Sequence, residues 1–193
     1  GDLFTLDMTD KAIAGTVDFQ SKDPATFDRC GYEMEKQYIC AGIMLMNLDY
    51  WREHDIADKV VRWGRENNNR IQFPDQDAIN YICRDAKILL PLKYDIIDGY
   101  FHDDYYYKTY PKELKECLES PVIIHYAGQA PWVVELSKHL LQDEWDKYNK
   151  SLREPVKKVY QSKGLLKFKV IMYRLLHPNK NMKRQAVLNK LRS

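Results

Sequence analysis

Three side chains that can hold a polar ligand stand in a row at Asp75, Gln76 and Asp77. Pro74 precedes them, and apolar residues follow at a spacing near three and four, so the trio lies where a loop meets the start of a helix. The same trio is also typical of an ordinary acidic first turn, which the helix dipole stabilises and which Asp75 can cap. The row alone leaves both interpretations open.

Two other segments place small or polar residues beside apolar runs. Cys40, Ala41 and Gly42 are all small and precede a continuous apolar run over residues 43–48. Small residues let a ligand approach the backbone closely, or they serve tight packing against another element. His125 ends another apolar run; it is either a metal ligand, as imidazole often is, or a structural residue.

An aromatic segment over residues 91–111 mixes rings with aspartates and His102. Rings stack on the C–H faces of sugars and carboxylates accept their hydroxyl groups, so the mixture suits sugar binding. The alternative is a long surface loop whose tyrosines are partly buried anchors. The rings are Tyr94, Tyr100, Phe101, Tyr105, Tyr106, Tyr107 and Tyr110.

These residues must be positioned by the surrounding strands and helices, whose order along the sequence predicts a mixed α/β architecture with helices on a sheet. Short apolar runs predict strands over residues 12–19, 43–48, 87–90 and 121–125, with the run 43–48 as a central strand. Amphipathic patterns predict helices over residues 49–67, 75–84 and 133–149, the first of them whole or broken in two. A short polar helix is expected over residues 112–119.

Charge is unevenly distributed along the chain. Of 30 Lys and Arg and 28 Asp and Glu, eleven basic residues and no acidic one follow Glu154. Bulky apolar residues alternate with lysines in this arm, residues 155–193, which predicts a basic amphipathic helix on an anionic membrane surface. A solvated helix packed on the domain is the alternative, and no motif indicates a nucleic-acid partner. We therefore expect a domain over residues 1–152 and an arm over 153–193.

Several classes of protein lack their signals here. No apolar run reaches about 18 residues, and no P-loop, GxGxxG, HExxH or GxSxG motif occurs. Four widely spaced cysteines without a C-x-x-C pair do not predict a zinc site or redox motif, and reduced cytoplasmic thiols are the simplest expectation. No basic and apolar leader indicates a signal peptide.

Three segments together resemble glycosyltransferase family 8, the family of bacterial lipopolysaccharide galactosyl- and glucosyltransferases and of glycogenin. They are residues 38–52, 75–80 and 123–132, in the family's order and at its intervals. The resemblance implies a GT-A fold, a UDP-sugar donor and a divalent metal, usually Mn²⁺ (or Mg²⁺). It further implies retaining transfer of a hexose to a cell-surface glycan or lipid-linked saccharide acceptor.

The resemblance implies a donor-sugar site built from two of these segments. Cys40, Ala41 and Gly42 would lie near the donor sugar, and Asp75 would hold its hydroxyl groups. Gln76 would bind the donor sugar beside the anomeric carbon, where its carbonyl oxygen could stabilise developing positive charge.

Three more residues receive roles by resemblance. Asp77 would be a second catalytic side chain, a carboxylate near the reacting centre. His125 would bind the metal, which neutralises charge on the diphosphate leaving group, and Gly128 would pack near that diphosphate.

The chain departs from the family pattern in ways that generate further expectations. The family usually has Asn at the position of Cys40 and Lys near Gln129-Ala130, and no D-x-D metal motif is in place. We therefore expect the N-terminal nucleotide-binding half to be missing, in either a fragment of a longer enzyme or a decayed paralogue, and the chain alone to be inactive. The basic arm would hold it peripherally at the cytoplasmic, inner face of the membrane. The alternative function is a non-catalytic glycan-binding or interaction module.

Overall fold

The computed structural model of the protein describes residues 2–128, 130–136, 138–176 and 180–191. Contacts divide the chain into two compact units, Gly1–Asp95 and Ile96–Ser193. The boundary near residue 153 that the charge distribution indicates is a different division, and it stays a prediction.

The described ranges contain both strands and helices. The strands are β1 (Ile13–Val17), β2 (Ile39–Met46), β3 (Lys87–Leu89), β4 (Ile96–Ile97) and β5 (Ile124–His125). The α-helices are α1 (Pro24–Cys30), α2 (Leu48–Glu53), α3 (Ile56–Glu66), α4 (Pro74–Ile82), α5 (Asp104–Thr109), α6 (Pro111–Glu119), α7 (Gln142–Ser151), α8 (Gly164–Leu176) and α9 (Lys180–Lys190). Short 3₁₀ turns cover Asp2–Thr5, Phe19–Lys22, Met34–Lys36, Leu92–Tyr94 and Asp98–His102.

The first unit is built on a mixed three-stranded sheet in the order β2-β1-β3. β1 pairs antiparallel with β2 and parallel with β3, and all five of its residues are buried. The prediction that residues 43–48 form the central strand is wrong. Most of them belong to β2, which has a single neighbouring strand in the described ranges, and so much of β2 remains partly exposed.

Helix α4 packs on β2, and α3 packs on α4. The apolar spacing of α4 places Ala78 and Ile79 in the core, where burial removes their surface from water. Trp63 of α3 stacks on Tyr81 with ring centroids 4.9 Å apart. One buried core cluster of this unit comprises Ala12, Ile13, Ile39, Ile56, Ile79 and Cys83.

The predicted helix over residues 49–67 is a broken pair, α2 and α3. Asn47 caps α2 by accepting a hydrogen bond from the backbone N–H of Tyr50 at 3.1 Å. Asp55 adopts a left-handed conformation with φ 50° and separates the two helices. A left-handed residue interrupts the helical hydrogen-bond ladder, which explains the break.

In the second unit, β4 and β5 form a short parallel pair. The aromatic segment that leads from β4 into α5 is not an open loop, because Tyr100, Phe101 and Tyr106 are buried. Tyr100 and Tyr106 also contact each other with ring centroids 4.8 Å apart. Much of the aromatic content therefore builds the core of this unit.

The helix predicted over residues 133–149 begins only at Gln142. Upstream, the backbone N–H of Val134 donates to the carbonyl oxygen of Val159 at 2.9 Å, and that of Val159 donates to Trp132 at 2.9 Å. These bonds hold the backbone at Val133 and Val134 in a bridge to the segment after α7, and a residue engaged in this way cannot continue a helix.

His139 is a buried polar residue of the second unit, and burial lowers its pKa. Its Nδ1 accepts a hydrogen bond from the backbone N–H of Leu141 at 3.0 Å, while Nε2 lies 3.2 Å from the carbonyl oxygen of Ile96. A neutral ring with its proton on Nε2 satisfies both contacts. His139 therefore holds the start of β4 to the turn before α7 as a structural residue.

The arm forms two helices rather than one, α8 and α9. α8 exposes its apolar side chains, with Leu165 and Leu176 each 70% exposed. Arg184 of α9 contacts the carboxylates of Asp143 and Glu144, at 3.4 and 3.0 Å. Among the described helices, none has both the length and the apolar character that crossing a bilayer requires.

Candidate functional site

Two of the predicted segments meet where β2 lies against α4. The Oε1 atom of Gln76 accepts a hydrogen bond from the backbone N–H of Ala41 at 2.8 Å. One turn later, Asn80 accepts from the backbone N–H of Ile39 at 2.8 Å and donates to the carbonyl oxygen of the same residue at 2.8 Å. Side chains of α4 thus bind the edge of β2 in place of another strand. We call this region the β2–α4 junction.

The three adjacent polar residues of α4 occupy three different environments. Asp75 is exposed, Gln76 is half-buried against β2, and Asp77 is completely buried. Successive helical residues point about 100° apart, so one helix turn divides the trio between solvent, junction and core. Asp75 and Gln76 are the two that a ligand can reach from the surface.

Asp77 is held by a dense set of hydrogen bonds. Arg29 donates from Nε to Oδ2 at 3.1 Å and from Nη2 to Oδ1 at 3.0 Å. Tyr38 donates its hydroxyl to Oδ1 at 2.5 Å, and the backbone N–H groups of Gln72 and Phe73 donate to Oδ2 at 2.8 and 3.1 Å. Burial by itself raises the pKa of Asp77, but these hydrogen bonds outweigh it and the pKa is lowered.

These contacts favour a positioning role for Asp77 over direct contact with a reacting atom. Its carboxylate spans the loop before α4, helix α1 and the start of β2. The helix-start cap expected of Asp75 is not formed, because Phe73 is the N-cap and α4 has no side-chain cap hydrogen bond. The Asp77 side chain accepts the backbone N–H of Phe73. The catalytic assignment of Asp77 stays a prediction.

The small residues of β2 differ in their surroundings. Cys40 is buried, Ala41 is half-buried and Gly42 is exposed. Burial and the charge of nearby Asp95 raise the pKa of the Cys40 thiol well above its ordinary value. Gly42 and the Ala41 backbone are therefore the accessible part of this segment, while the Cys40 side chain faces the interior.

Two predicted residues, His125 and Gly128, belong to the second unit. His125 is half-buried at the end of β5, and Gly128 is exposed with φ 65°, a conformation that favours glycine. The family lysine position falls at Gln129, which lies outside the described residues. The metal role of His125 and the diphosphate role of Gly128 stay predictions.

The donor chemistry of the described residues fits a divalent metal in part. The His125 imidazole is a ligand type that Mn²⁺ accepts. His125 is therefore the metal ligand that we propose.

Sequence patterns missed four residues that support the junction. Asn80 could have been found, because it follows Gln76 by four positions and so shares its helix face. Tyr38, Arg29 and Lys87 had no local signal, since their partners lie far away in the sequence. Arg29 and Asp77, for example, are 48 positions apart.

The protein has a mixed α/β fold of the GT-A type. A crystal structure of the galactosyltransferase LgtC in complex with donor and acceptor sugar analogs matches it with a TM-score of 0.64 and 19% sequence identity. The match covers 88% of this chain and 59% of that chain. The predicted mixed α/β, GT-A type fold is thereby confirmed.

The chain belongs to glycosyl transferase family 8, whose pattern matches residues 1–134. It is 28% identical over 101 residues to the lipopolysaccharide 1,2-glucosyltransferase of Escherichia coli strain K12, covering 52% of this chain and 30% of that protein. It is 28% identical over 131 residues to the glycosyltransferase GlyF of Streptococcus pneumoniae serotype 4, covering 67% and 29%. The chain thus spans about 30% of the length of these two relatives.

Proposed function

We propose that this chain is part of a retaining, metal-dependent glycosyltransferase that moves a hexose from a UDP-sugar to a cell-surface glycan or lipid-linked acceptor. The observation that carries the proposal is the hydrogen bond from the Ala41 N–H to Gln76, within a family 8 chain. This hydrogen bond holds the amide side chain of Gln76, on α4, against the segment of small residues in β2. The E. coli relative is a lipopolysaccharide glucosyltransferase, and lipopolysaccharide biosynthesis is the corresponding process for this protein.

Each accessible residue has a chemical task in this proposal. Asp75, exposed in the first turn of α4, accepts hydrogen bonds from hydroxyl groups of the donor sugar. One lone pair of Gln76 Oε1 accepts the Ala41 N–H, and the other is proposed to face the positive charge that develops at the anomeric carbon. Gly42 and the Ala41 backbone leave room for the sugar ring. The buried Asp77 fixes the first turn of α4, and so the positions of Asp75 and Gln76, through its hydrogen bonds to Arg29, Tyr38 and the loop before α4.

The metal is proposed to be Mn²⁺ or Mg²⁺, with His125 as one ligand. It supplies a positive charge that stabilises the leaving diphosphate. Gly128, with its positive φ and exposed backbone, would let the diphosphate approach closely. The remaining ligands would come from a nucleotide-binding half that carries the D-x-D motif.

The donor site is tested by isothermal titration of the chain with UDP-sugar and Mn²⁺, in parallel with oligosaccharide alone. We expect binding that requires the UDP-sugar, and we expect Asp75→Ala to weaken it about tenfold or more, because a hydrogen bond to a charged group is lost. Asp58→Ala, an exposed carboxylate on α3, is the matched control and should change nothing. Binding of oligosaccharide with no response to UDP-sugar would favour a glycan-binding module and contradict the enzyme.

The structure gives that alternative module less support than the sequence did. The aromatic segment proposed to stack on sugars puts Tyr100, Phe101 and Tyr106 in the core. We therefore do not advance glycan binding as a second function.

Membrane association is proposed for α8 alone rather than for the whole arm. Lys163, Lys167 and Lys169 are exposed beside exposed apolar side chains, a pattern that anionic lipids attract. α9 differs, because Arg184 and Lys190 contact acidic groups of the same unit. Peripheral binding to the cytoplasmic face of the membrane would follow from α8.

Flotation with vesicles of phosphatidylcholine, with and without phosphatidylserine, tests this assignment. We expect binding that depends on phosphatidylserine and is lost when Leu165 and Phe168 are both replaced by serine, since burial of those side chains drives insertion. Tyr148→Ser, a change at an exposed ring on α7, is the control and should bind as wild type. Equal vesicle binding after deletion of residues 155–193 would show that the arm is not the membrane-binding segment.

A further inference from the structure

We propose that Lys87 is a positioning residue of the β2–α4 junction: its amine ties a strained peptide at Gln37 to the side chain of Asn80. By doing so it fixes the start of β2, and with it the Ala41 N–H that Gln76 accepts. The functional meaning of this tie rests on the proposed transferase site. The tie itself is a property of the first unit and is tested without any substrate.

Gln37 has a backbone conformation that side chains rarely adopt, with φ 59° and ψ 159°. That region is occupied almost only by glycine, and other residues stay there when the surrounding contacts over-determine them. The Gln37 carbonyl oxygen accepts from the Lys87 Nζ at 2.5 Å and from the Tyr32 hydroxyl at 3.2 Å. Its N–H donates to Met34 at 3.0 Å, and its side-chain oxygen accepts from Ser21 at 2.9 Å.

Lys87 is the first residue of β3, and its amine contacts both the segment just before β2 and helix α4. Besides Gln37, its Nζ lies 3.4 Å from Oδ1 of Asn80 and 5.3 Å from the centre of the Tyr32 ring. Asn80 in turn holds both backbone groups of Ile39. The Lys87 amine therefore supports the start of β2 in two ways. It binds Gln37, which precedes β2 in the chain, and it binds Asn80, whose side chain holds Ile39.

Burial lowers the pKa of Lys87 to about 8, and the ionisable groups that act on it are Cys83, Asp85, Cys30 and Arg84. A neutral amine keeps two N–H donors, so Lys87 can donate hydrogen bonds to both Gln37 and Asn80 whether it is neutral or protonated. A methionine of similar length offers no donor. Donor capacity, rather than charge, is what the junction requires of this position.

The experiment measures hydrogen–deuterium exchange of the Ile39 and Ala41 amides in the 193-residue chain. Lys87→Met should reduce their protection about tenfold, the size of effect that a buried hydrogen bond supports, while Lys87→Arg should stay within about threefold of wild type. Lys36→Met, a change at an exposed lysine of the same unit, should have no effect. In a Gln37→Gly background, where the backbone conformation is no longer strained, Lys87→Met should lose most of its effect.

Four results would overturn the proposal. Lys87→Met could leave Ile39 and Ala41 as protected as in wild type, or it could reduce protection uniformly across the first unit, as general destabilisation would. The Gln37→Gly background could also fail to suppress the change. If Lys87→Met alone does not fold, the double variant must fold, and its failure would also overturn the proposal. Failure of UDP-sugar binding would contradict the proposed function and leave these exchange results unaffected.

Discussion

Replacing Arg29 with methionine is expected to lower the free energy of unfolding of the first unit by about 3–5 kcal/mol. The reason is that Asp77 is completely buried, and Arg29, which is 15% exposed, is its charged partner through two hydrogen bonds. The substitution leaves a carboxylate inside the protein without that partner. Urea unfolding followed by circular dichroism measures the change.

The matched control is Arg52→Met on the surface of α2. Arg52 pairs with Asp49 at 2.9 Å, but both side chains are exposed, and such pairs contribute about 0–1 kcal/mol. Arg29→Lys should be intermediate, since it keeps the charge and loses the two-pronged geometry of the guanidinium. Equal effects of Arg29→Met and Arg52→Met would show that the buried pair does not stabilise the fold.

The lowered pKa of Asp77 adds a dependence on pH. Burial raises the pKa of Asp77, and hydrogen bonds from Arg29, Tyr38 and the backbone outweigh burial and lower it. A carboxyl group with a lowered folded pKa contributes stability above its unfolded pKa near 3.9 and loses it as pH falls through the folded value. The contribution of Asp77 to the stability of the wild type should therefore decrease as the pH falls below about 4, which urea unfolding at several pH values measures.

Replacing Asn80 with leucine is expected to destabilise the first unit by about 3 kcal/mol, because two buried backbone groups of Ile39 lose their partner. Leucine has a similar volume, so the change removes hydrogen bonds with little change in packing. The N–H and the carbonyl of Ile39 have no replacement strand there, since β2 is the edge strand of the described sheet. Urea unfolding gives the global loss, and amide exchange at Ile39 gives the local one.

Asn68→Leu serves as the control for this second prediction. Asn68 is exposed in the turn after α3, so the same substitution there should change stability by less than about 0.5 kcal/mol. A loss for Asn80→Leu no larger than this would mean that Ile39 finds other partners. The junction would then not depend on side chains of α4 as described.

Local patterns succeeded where one element contains the information. The trio at residues 75–77 was identified because Pro74 and the following apolar spacing mark a helix start. The different burial of the three residues could not be predicted, since it depends on which side of α4 faces β2. The central position predicted for residues 43–48 failed for a related reason: an apolar run indicates burial, but not the order of strands in a sheet.

The amino-acid sequence by itself determined most of the secondary structure, the family and the presence of a basic arm, because apolar spacing, short motifs and charge runs are local properties. The tertiary structure decided what surrounds the site. Asp77 meets Arg29 across 48 positions, Asn80 meets Ile39 across 41, and Lys87 meets Gln37 across 50. Contacts over such separations arise only when the chain packs, since each partner satisfies a buried polar group that no neighbouring residue in the sequence can reach.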